Sequence, residues 1–122
     1  MSEDEALSCC RTEIDETTLE LAQRVLDSKK KWLEKRAKVF ALLGNQARLD
    51  VVYLLLHFPR LCVCDFCDLL EMSAPAVSQH LRKLKDAELL FSKKEGLTVF
   101  YAVEEAIKEE LSNYLSVPYH KG

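Results

Sequence analysis

Between Val63 and Val103 the spacing of apolar residues changes period once, and this restricts the fold more than any other feature of the 122-residue chain. Up to Leu84 the period is helical. Val63, Phe66, Leu69 and Leu70 face inward on a short helix over about residues 63–70. Ser73 then caps a second helix, with Pro75 in its first turn, where the missing N–H costs nothing. Val77, Leu81 and Leu84 form the buried stripe of that helix and leave Ser78, Gln79, Arg82 and Lys83 outside. After Leu89-Leu90 the pattern alternates, with Leu90, Ser92 and Lys94 on one side and Phe91, Lys93 and Glu95 on the other. The run Leu97 to Val103 is rich in β-branched and aromatic residues, so two strands around Lys94-Glu95-Gly96 predict a hairpin. Two helices joined at the tight Glu71-Met72 turn, the second basic outside and followed at once by a hairpin, predict a winged helix-turn-helix.

The flanks supply more helices. Ile14, Thr18, Leu21, Ala22 and Val25 recur at helical spacing, and Trp32, Leu33, Ala37, Phe40, Ala41 and Leu43 suggest a second helix. Gly44-Asn45 reads as a stop followed by an N-cap, opening a third helix from Gln46 that ends before Pro59. A last helix over about residues 104–115 has Ala106 or Ile107, Leu111 and Tyr114-Leu115 on one face. The expected fold is mainly α with a β-hairpin wing, in the order αααααββα. Residues 1–12 form a loose arm, 13–118 the DNA-binding and dimerisation domain, and 119–122 a tail. The apolar stripes of the first and last helices either close this small core or pair across a two-fold axis. A helix-turn-helix usually reads paired half-sites, so the expectation is a homodimer.

A net charge of −3 hides an uneven distribution. Residues 1–27 sum to −6, residues 28–48 to +6 and residues 73–101 to +2. Local positive potential decides a DNA face, not the total. Ser73, Ser78, Gln79, His80, Arg82 and Lys83, with Lys93 and Lys94 on the hairpin, are the candidate contacts to double-stranded operator DNA. Hydroxyls and lysines suit phosphates, while Gln and Arg read base edges. His80 either contacts DNA or packs. The longest nearly apolar run, Leu49 to Phe58, is broken by Asp50 and His57 and too short to span a bilayer, and the N-terminus is acidic. The expectation is a cytoplasmic protein with no membrane partner. No nucleophile–base pair, phosphate loop or βαβ redox motif points to an enzyme or to a small organic substrate.

Five cysteines in a reducing compartment argue for metal or thiol chemistry over disulfides. Three lie within Cys62-Val63-Cys64-Asp65-Phe66-Cys67. Thiolates are soft ligands suited to As(III), Cd(II), Pb(II), Zn(II) or Hg(II). On a regular helix Cys64 and Cys67 share a face, whereas Cys62 and Cys64 point apart, so a chelate using that pair needs a non-helical or distorted first turn. Cys67 falls with Val63 and Leu70 and reads equally as core or ligand. Cys9 and Cys10 are poor for packing and suit an arm that donates thiolates. His57 and His120 read as structural or exposed. Oxidation of Cys62 and Cys64 in a redox or persulfide switch is the rival reading, and a metal carrier that binds no DNA a third.

These segments resemble the ArsR/SmtB family of metal-responsive repressors over about residues 37–103. The likeness rests on Phe40 to Leu49, Leu61 to Asp65, Ser73 to Leu84 and the Lys93-to-Tyr101 wing. The resemblance implies a homodimer that binds a palindromic operator metal-free and leaves it when metal binds. Arsenic-sensing members are similar at Cys62, Cys64 and Cys67. Cadmium- and lead-sensing members of the CadC type use the first two plus arm cysteines, which Cys9 and Cys10 would supply. Zinc-sensing members place histidine ligands in the last helix, and this chain has none there.

Overall fold

The computed structural model describes residue 13 and residues 15–119. The expected arm at residues 1–12, with Cys9 and Cys10, lies outside the described residues, as do Ile14 and His120. The elements are α1 (Glu16–Leu43), α2 (Gln46–His57), β1 (Leu61–Cys62), α3 (Val63–Leu70), α4 (Ala74–Asp86), β2 (Leu90–Glu95), β3 (Thr98–Val103) and α5 (Glu105–Tyr114). This is a mainly-α fold with a hairpin wing. By compactness the chain divides after Lys35 into two units. Among the described residues no single helix is long and apolar enough to cross a membrane.

The two helices expected on either side of residues 26–31 are one helix of 28 residues. Nothing in Asp27-Ser28-Lys29-Lys30-Lys31 stops it, for there is no Gly or Pro. Two local side-chain hydrogen bonds stay within the helix along this stretch. Gln23 donates to Asp27 at 2.8 Å, and the Ser28 hydroxyl donates back to the Val25 carbonyl at 2.8 Å. The helix ends at Gly44, as its sequence predicts. Asn45, in extended conformation, caps α2 by accepting the Arg48 N–H at 3.1 Å.

In the unit from Arg36 onward, Val51, Val52 and Leu55 of α2, Phe66 of α3, Val77, Leu81 and Leu84 of α4, and Leu89, Leu90 and Leu111 are almost fully buried. The stripe predicted for α4 is the observed one. In α3 the expectation holds for Phe66 but fails for Leu69, which is 57% exposed. By helical geometry Leu69 lies about 60° beyond Phe66, while Val63, Cys67 and Leu70 flank the buried direction more closely. Leu111 of the last helix is buried in the chain's own core, with Ile107, Tyr114 and Leu115 packed beside it. That stripe therefore serves the core at least in part. Arg36 pairs with Glu110, and the Phe40 and Tyr114 rings stand 5.0 Å apart.

Two short-range devices set the helix-turn-helix and the wing. Glu71 adopts the left-handed conformation (φ 54°, ψ 49°) and closes α3, turning the chain into α4. The β2–β3 hairpin pairs Leu90 with Val103 through Glu95 with Thr98. It turns through Gly96, whose φ of 63° suits a residue without Cβ. The third strand, β1, has no counterpart in the sequence reading. It pairs antiparallel with β3, giving the order β1-β3-β2. Two residues are too few to show alternation.

Candidate nucleic-acid interface and thiol segment

Ser73 opens α4, its hydroxyl oxygen accepting the Ala76 N–H at 3.4 Å. The hydroxyl proton remains available to a phosphate. Because Val77, Leu81 and Leu84 point into the core, helical spacing turns Gln79, Arg82 and Lys83 to solvent, and all three are exposed. Ser78 and His80 are half-buried. Lys93 and Lys94 are exposed on β2 and, as neighbours on a strand, lie on opposite faces of the wing. Lys85, in the last turn of α4, donates to the Ser92 hydroxyl at 2.8 Å and ties that helix to the wing.

Arg48 holds α4 from the other side. Its Nε donates to the Leu42 carbonyl at 2.8 Å, and its Nη1 stands 3.3 Å from His80 Nδ1. A guanidinium only donates, so Nδ1 accepts and the ring proton sits on Nε2. Burial first, and then the charges of Arg48 and Lys83, hold the His80 pKa below its ordinary value. His80 is thus a neutral ring placed between α2 and α4. Sequence reasoning missed Arg48 and Lys85 as positioning groups. Their charge was visible, but their partners lie on other elements.

Cys62 is the last residue of β1 and the N-cap of α3, in extended conformation (φ −99°, ψ 170°). Cys62 itself is extended, while the first turn of α3, which holds Cys64, is helical. Asp65 accepts the Cys62 N–H at 3.0 Å. That bond first, and the Cys62 side chain second, hold the Asp65 carboxyl below the usual carboxylate range. Cys64 is exposed, and Cys62 and Cys67 are half-buried free thiols. Cys67 packs against the core. Among the described residues no three Cys, His, Asp or Glu side chains are gathered as a metal site. The donor set suits a soft ion by chemistry, while the described thiols are not gathered into a three-ligand site. His57 lies edge-on against Tyr53, with centroids 4.8 Å apart, and is no part of the segment.

Residues 45–91 match the family described as bacterial regulatory protein, arsR family. The chain is 39% identical over 70 residues to the arsenical resistance operon repressor of Escherichia coli K12, which covers 57% of this chain and 60% of that protein. It is 36% identical over 75 residues to a cadmium resistance transcriptional regulatory protein, CadC homolog, of Staphylococcus aureus, covering 62% of each. It is 31% identical over 90 residues to the arsenical resistance operon repressor of Bacillus subtilis, covering 74% of this chain and 83% of that one. The chain thus spans about three-fifths of the length of the first two relatives. Among solved structures, HlyU of Vibrio cholerae superposes with a TM-score of 0.64 at 30% identity, covering 70% of this chain and 94% of that one.

Proposed function

The chain belongs to the arsR family of bacterial regulatory proteins, and from that premise we propose that it is a metal- or metalloid-responsive repressor of transcription. Residues 13–118 form its DNA-binding and dimerising part. One observation carries the reading. Helix α4 is anchored by three fully buried residues and turns Gln79, Arg82 and Lys83 outward beside a hairpin bearing Lys93 and Lys94. In this reading α4 enters the major groove of a double-stranded operator and Gln79 and Arg82 meet base edges. Ser73, Ser78, Lys83, Lys93 and Lys94 meet phosphates, and neutral His80 positions the helix.

The active form is a homodimer in this reading. Leu19, Leu26, Leu33 and Phe40 recur every seven residues along α1 and are each 43–52% exposed, as two helices packed side by side require. The effector is a thiophilic ion, As(III), Cd(II) or Pb(II), with Zn(II) or Hg(II) as further candidates. Cys62 and Cys64 would hold it, completed by Cys9 and Cys10 or by Cys67, and it would cross-link thiolates. The names of the arsenical and cadmium relatives support this class of effector. The protein works in the cytoplasm, where thiols stay reduced. A family of regulatory proteins gives no reason to assign catalysis.

The test is a titration of operator-bound protein, under reducing conditions, with each ion in turn. Release at about one ion per protomer supports the sensor, and Cys64→Ser should keep operator binding while losing release. By linkage, the ion must bind the DNA-free form more tightly. Equal release in both proteins sinks the thiol site. A redox switch is the second reading, favoured by the exposure of Cys64. It predicts release by peroxide and none by metal.

A further inference from the structure

The segment that carries the thiols is itself a strand of the wing sheet. Leu61 pairs with Tyr101 and Cys62 with Phe100. Directly opposed residues of an antiparallel pair share a face, and so do residues two apart on one strand. Cys62 therefore lies on the face of the sheet that carries Phe100 and, across from it on β2, Lys93. Arg60, two residues before Cys62, reaches over that face. Its guanidinium carbon stands 3.8 Å from the Phe100 ring centre, and its Nη1 stands 2.5 Å from Glu95 Oε2. One side chain from outside the hairpin thus touches both of its strands. Cys62 is also the N-cap of α3. Any rearrangement of its backbone is shared between that helix and the β1–β3 ladder.

We propose that the wing is an element through which a change at Cys62 and Cys64 reaches the DNA face, with Arg60 as the positioning residue that keeps the two in register. The inference rests on the thiol-sensing reading above. It differs from a route confined to α3 and α4, because it assigns the response to the strand carrying Lys93 and its neighbour β3. Arg60 acts here through a flat guanidinium held over the Phe100 ring while one of its nitrogens pairs with Glu95, so a lysine, which has the charge but not the plane, does not replace it.

The test uses the full chain, reduced, with Cd(II) as probe. Uptake is followed by thiolate-to-cadmium absorption, and amide hydrogen exchange is read along the sequence. In the unsubstituted protein, exchange at residues 98–103 should change about tenfold on uptake, within the usual range of allosteric coupling. In Arg60→Ala and Arg60→Lys the uptake should be unchanged and the wing response should shrink to within about twofold. Phe100→Leu should behave alike, and adding it to Arg60→Ala should make the response no smaller than in Arg60→Ala alone, since the Arg60–Phe100 contact is already lost there. Exchange in α2 serves as the folding control, with Glu95→Gln as the milder variant. A response confined to residues 63–86, or a full wing response in Arg60→Ala, overturns the inference alone. No uptake by the unsubstituted chain overturns the thiol-sensing reading and this inference with it.

Discussion

Helices α1 and α4 both carry an apolar stripe, and the chain treats them in opposite ways. In α4, Val77, Leu81 and Leu84 are at most 1% exposed, sealed by α2, α3 and the wing. In α1, Leu19, Val25, Leu26, Trp32 and Leu33 are 43–68% exposed. An amphipathic pattern states that a face wants cover, and only contacts elsewhere in space state what covers it. For α4 the cover is this chain. For α1 the proposed dimer assigns it to a second copy.

The sharpest way to break this comparison is the same substitution in both helices. Leu81→Ala should cost about 2–5 kcal/mol in denaturant unfolding, because it empties a packed site. Leu26→Ala, measured at a concentration where the protein is monomeric, should stay within about 0.5 kcal/mol. Equal losses would mean that α1 is covered by its own chain. Next, Leu26→Asp with Leu33→Asp should weaken self-association by about 3 kcal/mol or more in sedimentation equilibrium, while the fold survives. An unchanged association constant would remove α1 from the dimer interface.

On the outer face of α4, Arg82→Ala should weaken operator binding by about 1–3 kcal/mol at fixed salt and leave the thermal midpoint alone. A fall in stability of similar size would make Arg82 a structural residue. The smallest expected effect concerns His80. Its pKa is lowered in the fold, so its contribution to stability is whole above about pH 6.5 and declines as pH falls through that value toward the folded pKa. His80→Gln should flatten this part of the stability profile, and an unaltered profile would show that another group titrates there.

Much of the reading head was legible in residue order. The Ser73 cap, the Glu71-Met72 turn, the stripe of α4 and the exposure of Gln79, Arg82 and Lys83 all follow from short-range sterics and hydrogen bonds. The thiols were legible as chemistry. Their arrangement was not, because helical phase says nothing of a residue that ends a strand and caps a helix at once, as Cys62 does. The predicted break within α1 failed for a local reason, since no Gly or Pro stands between Val25 and Trp32 to stop the helix.

Local chemistry and period therefore determined the helix-turn-helix, the wing, the clustering of cysteines and the need for cover on two helices. Tertiary structure alone decided that Leu61–Cys62 joins the wing, that Arg60 spans Phe100 and Glu95, and that Arg48 backs His80. Each of these joins residues more than thirty positions apart or makes a strand too short to show a period. A one-dimensional pattern records only neighbours within a turn or a pleat. Contacts between distant segments exist once the core around Phe66 and Leu81 has brought those segments together.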